Sequence, residues 1–524
     1  MELLSVSLAL SPVIILLLLL VLRRAPADVA GVVGWIVAMI VACIYFQTPL
    51  RIALQASLGG IVASLPIALV VATSMLQMTI MLETGAIARV VAFLKVVAPG
   101  NPVVRMMIIS VGFGTLLTAL GAVPVSILPP ILLALGYSPF AAIALPAIGY
   151  DALCTYALLG IPVVVFAGFV GQPVDQVGHY FARFMPVIST CIALGMLWIV
   201  GRWRLVWRGL VPALVAGLTA GFIAIGMNRL GMVTLTGIAA GLGVVLAMLV
   251  YLRVTGRPLV DRGVLRQGVP SPGLGQVQGS GRGLSLGAAV SPWIMLTVIS
   301  LLANAPFLPF FDLTFRRWAM PVEIIPGAPE KVRLLWQAYF WILVTTLLAL
   351  PFLRPTRAQL SASLRKWLKR APRPVLAAAV FFAIAFVINH SGKGVDWQLV
   401  DPGRNMVYVV AAASAAAFGR SYPLVAPFLG LLGGFISGSE TSSIAMLTAL
   451  HLSTAERIGA LGVLIAAASG IGGGLASVIS PAKLQNAAAS IDRIGQESQV
   501  LRTTFVIALI ITAVCALMTL LWAF

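Results

Sequence analysis

Charged residues are scarce in this sequence, and acidic residues are the scarcest. Only 9% of its 524 residues are charged, with 15 Asp and Glu against 34 Lys and Arg, whereas 60% are hydrophobic. A soluble domain carries about 25% charged residues, so the composition argues against a soluble domain anywhere in the chain. Apolar runs of about 20 residues, long enough to cross a bilayer, recur from end to end. The sequence therefore predicts an all-α, multi-pass membrane protein with about 12 to 14 transmembrane segments.

Cysteine and histidine are also rare, which bears on metal and cofactor sites. The chain has 4 cysteines and 3 histidines. The cysteines all lie in apolar segments, where packing is their usual role: Cys43, Cys154, Cys191 and Cys515. There is no Walker A loop, since Gly392-Lys393-Gly394 lacks the Ser or Thr, and no HExxH zinc motif. We therefore expect no metal, no cofactor and no enzymatic activity.

The excess of positive charge, a net +19, has a topological interpretation, because Lys and Arg are retained in cytoplasmic loops. The first apolar run precedes Arg23 and Arg24, an order unlike that of a cleaved signal peptide, and we expect the N-terminus outside. The most basic segment, residues 355–374, places leucines and Trp367 on one helical face. It predicts an amphipathic helix on the cytoplasmic surface. This helix is either a scaffold for a sliding bundle or simply a basic topogenic loop.

Residues 433–481 are apolar enough for a bilayer, yet small and polar residues interrupt them twice. The first interruption is residues 437–443, Ser-Gly-Ser-Glu-Thr-Ser-Ser, and the second is residues 469–474, Ser-Gly-Ile-Gly-Gly-Gly. Lipid cannot hydrogen-bond a free backbone, so a broken helix at membrane depth survives only against protein or a wet cavity. Secondary transporters build substrate sites at such breaks, because the free helix ends carry partial charges.

Residues 112–162 repeat this organisation. Each stretch has an interruption, a short apolar helix, a small connector and a second apolar helix that breaks again, at residues 149–151 in the first copy. Each copy then ends in Ile-Pro or Ile-Ser-Pro. We interpret the two copies as inverted repeats, each with a re-entrant hairpin and a broken helix.

The repeat suggests how the chain is divided. We expect an N-terminal half over residues 1–252, with its hairpin and broken helix at about 103–171, and a C-terminal half over residues 288–524, with its own at about 422–492. Residues 253–287 are rich in Gly, Pro, Ser and Arg. Such a composition predicts a flexible cytoplasmic linker between the halves.

Glu440 is the strongest candidate for a functional residue. A charge within a membrane segment is costly and by default marks function; the alternative is a first-turn position that faces water beside a capping Ser439. A carboxylate repels an anionic substrate, so Glu440 would bind a cation or be protonated when substrate binds. Hydroxyl and amide side chains near the breaks are candidate substrate ligands: Thr115, Thr118, Ser439, Thr441, Ser442, Ser443, Asn389, Ser391 and Ser469. Most Ser and Thr in membrane helices bond only to their own backbone.

Several motifs resemble those of the L-lactate permease family. Residues 427–443, PFLGLLGGFISGSETSS, resemble a family hairpin in which PFLG is followed by FLTGSDTSS. Residues 385–392, AFVINHSG, resemble its AFxxSNYSG, and Ile479-Ser480-Pro481 is similar to its Ile-Ser-Pro-Gln. The family's first hairpin reads roughly EGAAGFGAP, whereas residues 118–124 are TALGAVP, without the glutamate. We hypothesise that Asp151 takes over this protonation; the alternative is that Asp151 merely faces the wet end of a helix.

The resemblance implies import of a small monocarboxylate, lactate- or glycolate-like, by proton symport with an elevator-like motion. It implies a bacterial cytoplasmic membrane location, with the bilayer, an organic anion and a proton as partners and no nucleic acid. Many such carriers are homodimers, although no dimer motif is visible here. Sodium coupling with another small organic anion stays open, because exposed carbonyl and hydroxyl oxygens at broken helices suit sodium equally well. A channel is a further alternative, and substrate, stoichiometry and direction are not fixed by the sequence.

Overall fold

The structure, a computed structural model, is built almost entirely of helices. The described residues are 2–21, 23, 25–96, 101–121, 124–259, 284–304, 308–327, 329–491, 493 and 496–524. Up to residue 254 the helices are Glu2–Val21, Ala27–Ile44, Leu50–Glu83, Ala86–Val96, Pro102–Met106, Met107–Phe113 (a π-helix), Gly114–Ala119, Pro124–Ala134, Pro139–Gly149, Tyr150–Tyr156 (3-10), Ala157–Val170, Val174–Arg208, Leu210–Arg229, Val233–Leu235 (3-10) and Thr236–Val254. From residue 286 they are Leu286–Asn304, Pro309–Phe311, Asp312–Arg317 (a π-helix), Ala338–Leu353, Arg357–Arg370, Pro372–His390, Pro402–Arg404 (3-10), Met406–Phe418, Gly419–Ser421 (3-10), Tyr422–Ser437, Glu440–Ile458, Gly462–Leu475, Ala476–Ile479 (3-10), Pro481–Ala489 and Glu497–Trp522.

Many of these helices can cross a bilayer. Among the described residues, 11 helices are long and apolar enough to span a membrane. Shorter apolar helices accompany them: Leu3–Leu19, Asp28–Ile44, Pro139–Gly149 and Ala338–Leu353. Within the same residues, strands occur in a small antiparallel hairpin, where Met320–Val322 pairs with Glu330–Val332. The prediction of an all-α, multi-pass membrane protein is confirmed.

The predicted linker is described only at its two ends. Helix Thr236–Val254 runs into its start, and helix Leu286–Asn304 begins where it ends. Residues 260–283 lie outside the described residues. The division of the chain at this linker stays a prediction.

The interrupted segments follow one order of elements in both parts of the chain. The first hairpin has a first arm ending with helix Gly114–Ala119 and a second arm, Pro124–Ala134. The first broken helix has a first part, Pro139–Gly149, a 3-10 turn, Tyr150–Tyr156, and a second part, Ala157–Val170. The second hairpin has the arms Tyr422–Ser437 and Glu440–Ile458, and the second broken helix has the parts Gly462–Leu475 and Pro481–Ala489 around the 3-10 turn Ala476–Ile479.

These segments pack against one another reciprocally. The second arm of each hairpin contacts the second part of the other copy's broken helix. The 3-10 turn of each broken helix contacts the first part of the other broken helix. Such an exchange of contacts is what a pseudo-two-fold axis between inverted repeats produces. The place where the two copies meet is therefore built from helix breaks of both.

One predicted break lies elsewhere. Residues 469–474 are helical and buried, and the interruption falls instead at the 3-10 turn Ala476–Ile479. The glycines serve close contact, because a Cβ at Gly430 would meet the carbonyl oxygen of Ser469 across the interface between the second hairpin and the second broken helix. Small residues let helix backbones approach closely in membranes. The prediction of a break at this glycine run was wrong, because glycine also serves packing between helices.

Candidate functional site

The second hairpin is broken over only two residues. Gly438, with a φ of +68°, ends the first arm in a left-handed conformation that favours glycine. Ser439 is extended, and its Oγ accepts a hydrogen bond from the Ser442 backbone N–H at 3.4 Å. Ser439 is therefore the N-cap of the second arm. The first turn of a helix leaves N–H groups without partners in the helix, which gives this end a partial positive charge.

Glu440 is the first residue of this helix and is buried, with 3% of its surface exposed. Its Oε1 accepts a hydrogen bond from the Thr155 Oγ1, 2.6 Å away and 285 residues distant in the chain. Its Oε2 has no hydrogen-bond partner among the described residues. The Cys154 thiol also interacts with the carboxylate, and Gly474 leaves room for it, because a Cβ there would lie 2.5 Å from Oε2. The carboxylate thus joins the two repeats.

The second broken helix carries a cation whose charge acts on Glu440. After the 3-10 turn Ala476–Ile479, Ser480 is extended and Pro481 begins the next helix, a position that proline fits well because it lacks an N–H. Lys483, in the first turn, donates a hydrogen bond from Nζ to the Ser477 Oγ at 2.6 Å. It also acts electrostatically on Glu440. The second broken helix thus supplies a positive group within electrostatic range of the buried carboxylate.

The first broken helix brings Thr155 to this point through a strained backbone. Leu158, Leu159 and Gly160 have φ values of 54°, 58° and 75°. A left-handed conformation costs a non-glycine residue roughly 1–2 kcal/mol, and such strain persists only where the surroundings enforce it. Next to Thr155, the Tyr156 hydroxyl accepts a hydrogen bond from the Asn228 Nδ2 at 3.0 Å. This bond anchors the turn to a neighbouring helix.

Paired helix breaks from both repeats therefore bring together a helix N-terminus, a carboxylate, an amine and hydroxyl groups. This arrangement is typical of secondary transporters. The sequence profile of the L-lactate permease family matches residues 5–524. The chain belongs to the L-lactate permease family. Its predicted family is thereby confirmed. Membership indicates monocarboxylate transport and points to a transporter rather than an enzyme.

Curated members of the L-lactate permease family align with nearly the whole chain. The glycolate permease GlcA of Escherichia coli (strain K12) is 26% identical over 558 residues, covering 99% of this chain and 96% of its own length. The L-lactate permease of the same strain is 26% identical over 519 residues, covering 93% and 90%. That of Bacillus subtilis (strain 168) is 24% identical over 539 residues, covering 96% and 93%. Among solved structures, the YdaH transporter of Alcanivorax borkumensis has a TM-score of 0.47 at 12% identity, covering 95% of this chain and 98% of that one.

In this L-lactate permease family member, the predicted ligands of the second hairpin lie in the same helix start as Glu440. The first turn of its helix contains three buried hydroxyl residues: Thr441, Ser442 and Ser443. The Ser443 Oγ donates a hydrogen bond to the Gly430 carbonyl oxygen at 3.0 Å, so it also holds the two arms of the hairpin together. Ser439 is half-buried at the break itself. The alternative interpretation required Glu440 to face water, but its side chain is buried.

Three predicted substrate ligands lie on other helices: Thr115, Thr118 and Ser469. The Thr118 Oγ1 donates to the Gly114 carbonyl oxygen at 2.8 Å, the common backbone bond of a helical threonine. The Thr115 Oγ1 is buried and has no partner among the described residues. The Ser469 Oγ hydrogen-bonds to the His451 Nε2 at 2.7 Å. No hydrogen bond of the described residues joins these three hydroxyls to Glu440.

Asn389 and Ser391 form a separate polar cluster where helix Pro372–His390 ends. The Asn405 Nδ2 donates to the carbonyl oxygens of both residues, at 3.1 and 2.8 Å. The Ser391 Oγ accepts a hydrogen bond from the Met406 N–H at 2.8 Å. These bonds connect the ends of two helices, and the described residues show no hydrogen bond from either predicted ligand to Glu440.

The other predicted proton carrier, Asp151, belongs to the 3-10 turn of the first broken helix. Its side chain lies outside the described residues, so its role stays a prediction. Across the described part of the chain, no three His, Cys, Asp or Glu side chains are grouped so as to hold a metal ion.

Sequence reasoning missed several polar residues of this region. Thr155 and Ser477 each lie in a 3-10 turn that interrupts a broken helix, and their position after a predicted break is the signal that could have found them. His451 was also missed. It is fully buried, with Nδ1 bonded to the Tyr422 hydroxyl at 2.8 Å and Nε2 to Ser469. A lone histidine in an apolar helix was the signal there.

Proposed function

We propose that this permease imports a small monocarboxylate of the lactate or glycolate class together with a proton. Two of its relatives are named as permeases for L-lactate and glycolate. The observation that carries the coupling is Glu440, a buried carboxylate with one unpaired oxygen at the contact between the repeats. Asp151 is a second candidate for protonation. Sodium symport of another small organic anion is the alternative.

The balance of charge around Glu440 supports proton coupling. If Glu440 were ionised, a substrate carboxylate about 5 Å away would be repelled by roughly 3 kcal/mol at an effective dielectric constant of about 20. Protonation removes this repulsion, and Lys483 and the helix N-terminus then attract the anion. A loaded, protonated site carries the same net charge as an empty, ionised one. Proton and anion would therefore load and cross together.

The contacts between the repeats support alternating access. The Thr155–Glu440 hydrogen bond links the first broken helix to the second hairpin. The second hairpin and second broken helix interlock through glycine contacts, so they would move as one unit, in the elevator-like manner that we propose. Helices Leu50–Glu83 and Pro372–His390, which pack along each other, are the proposed static frame.

The proposed location is the bacterial cytoplasmic membrane, with the N-terminus outside. In this orientation the basic helix Arg357–Arg370 faces the cytoplasm, as its charge favours. The halves 1–252 and 288–524 and a homodimeric assembly are part of the same proposal.

The test is uptake of labelled lactate and glycolate into liposomes that contain the purified protein, with an inward proton gradient and no sodium. We expect accumulation that a protonophore abolishes, with protein-free liposomes as the control. Accumulation that needs a sodium gradient and ignores the protonophore would contradict proton coupling. Rapid equilibration without uphill accumulation would contradict a carrier and favour a channel.

A further inference from the structure

The basic helix Arg357–Arg370 is fastened to the protein along one side. Its Gln359 Nε2 donates to the Glu83 carbonyl oxygen at 2.9 Å, and its Trp367 Nε1 donates to the Ala72 carbonyl oxygen at 2.7 Å. Lys366 forms an ion pair with the Glu83 carboxylate. All three contacts are to helix Leu50–Glu83, so the opposite side of the basic helix is turned away from it.

That opposite side carries two pairs of exposed residues. Leu364 and Leu368 are 41% and 64% exposed, and Arg365 and Lys369 are exposed beside them. Residues four apart stand one above the other on a helix, so the leucines form one stripe and the cations form a second stripe next to it. Neither cation takes part in a salt bridge of the described residues.

The basic helix cannot neutralise these charges by itself. From Arg354 to Pro374 the sequence contains no acidic residue. The helix lies between two apolar helices, Ala338–Leu353 and Pro372–His390, so it stands where the chain returns at one face of the membrane. Its partner must therefore offer negative charge and apolar surface together at the membrane boundary.

A phospholipid with an anionic headgroup meets both requirements. Its phosphate suits Arg and Lys side chains, and its acyl chains suit the neighbouring leucines. We propose that Leu364, Arg365, Leu368 and Lys369 form a binding site for an anionic phospholipid in the leaflet beside helix Arg357–Arg370. This site is separate from Glu440 and does not depend on which substrate or coupling ion the permease uses.

The experiment compares lipid binding to the full-length protein and to the double variant R365Q/K369Q. Phosphatidylglycerol and phosphatidylcholine are titrated separately into protein in neutral detergent, and bound lipid is counted by native mass spectrometry. The wild type should bind phosphatidylglycerol in preference to phosphatidylcholine. The variant should bind phosphatidylglycerol about 25-fold more weakly, at about fivefold for each cation removed.

Two further variants serve as controls. R365K/K369R keeps both charges and should retain the preference for phosphatidylglycerol. R51Q/R229Q removes two other exposed arginines and should leave lipid binding unchanged, which separates a local site from an effect of net charge. Substrate uptake and a monodisperse elution profile show that each variant is folded.

Three results would overturn the proposal. The first is equal phosphatidylglycerol binding by the wild type and R365Q/K369Q. The second is an equal loss in R51Q/R229Q. The third is a wild-type dimer that has no preference for phosphatidylglycerol and that becomes a monomer in R365Q/K369Q. A second copy of the chain, rather than a lipid, would then cover this face.

Discussion

The two hairpins share one order of helix, break and helix, but among the described residues a capping side chain and a charge are found only at the break of the second. In the second hairpin, Ser439 caps the helix and Glu440 follows it into the interior. In the first hairpin, helix Gly114–Ala119 ends at Leu120, Gly121 is left-handed, and the next helix begins with Pro124 in an apolar run. A shared backbone plan therefore does not require shared chemistry.

The asymmetry extends to what each repeat contributes at their meeting point. Among the described side chains, the first repeat supplies Thr155, a neutral hydroxyl, and the second supplies two charged groups, Glu440 and Lys483. If this division matters for transport, removal of a charged group should lower transport more than removal of the Thr155 hydroxyl or of the Ser439 cap. The substitutions that follow test that order.

Glu440→Gln should have the largest effect, because it removes the group proposed to carry the proton. Accumulation driven by a pH gradient in liposomes should fall at least about 100-fold, which corresponds to roughly 2.7 kcal/mol. Exchange of labelled for unlabelled substrate needs no net proton movement and should persist. Glu456→Gln, at an exposed position on the same helix, is the control. Undiminished pH-driven accumulation in Glu440→Gln would refute the assignment.

Lys483→Gln should weaken substrate binding, because it removes the cation proposed to attract the anion. We expect KM to rise roughly tenfold or more with a smaller change in maximal rate, since a hydrogen bond to a charged group contributes about 1.5–3 kcal/mol. Lys483→Arg keeps the charge and should lie close to the wild type. An unchanged KM in the Gln variant would mean that the anion binds elsewhere.

Thr155→Val should have a smaller effect, because it removes only the neutral contribution of the first repeat. A decrease of roughly fivefold in the ratio of maximal rate to KM is expected when one hydrogen bond of about 1 kcal/mol to the protonated, neutral Glu440 carboxyl is lost. Thr155→Ser restores the hydroxyl and should restore transport. If Thr155→Val were as inactive as Glu440→Gln, the two repeats would contribute equally and the comparison above would fail.

Ser439→Ala should have the smallest effect, on stability rather than on chemistry. Loss of an N-cap costs about 1 kcal/mol, whereas glycine at the same position costs only a few tenths. Thermal unfolding in detergent should therefore show a lower midpoint for Ser439→Ala than for Ser439→Gly. The opposite order would show that the Ser439 hydroxyl does not cap the helix.

The architecture and the second hairpin's break could be predicted because their signals are local. Apolar length predicts membrane helices, and a polar cluster around Glu440 within an apolar run predicts a break. The glycines at residues 469–474 misled the prediction because glycine both breaks helices and lets them approach, and only the neighbouring first arm, through Gly430, decides between these roles.

The partner of Glu440 could not be predicted, for a different reason. Thr155 contacts it across 285 residues, and a single threonine in an apolar segment looks like the many that bond only to their own backbone. Asn389 and Ser391 are predicted ligands because they are polar, yet the bonds to Asn405 use their backbone carbonyl oxygens, and Asn405 caps the next helix. Polarity in a membrane segment reveals that a partner is needed, but not which one.

The position of Cys154 beside Glu440 has a practical use. It is mostly buried, with 8% of its surface exposed, and it is not in a disulfide. A membrane-impermeant maleimide added to one side of sealed vesicles would label Cys154 only when the site opens toward that side. In a protein whose Cys43, Cys191 and Cys515 are replaced by serine or alanine, the native thiol would then report which way the carrier faces.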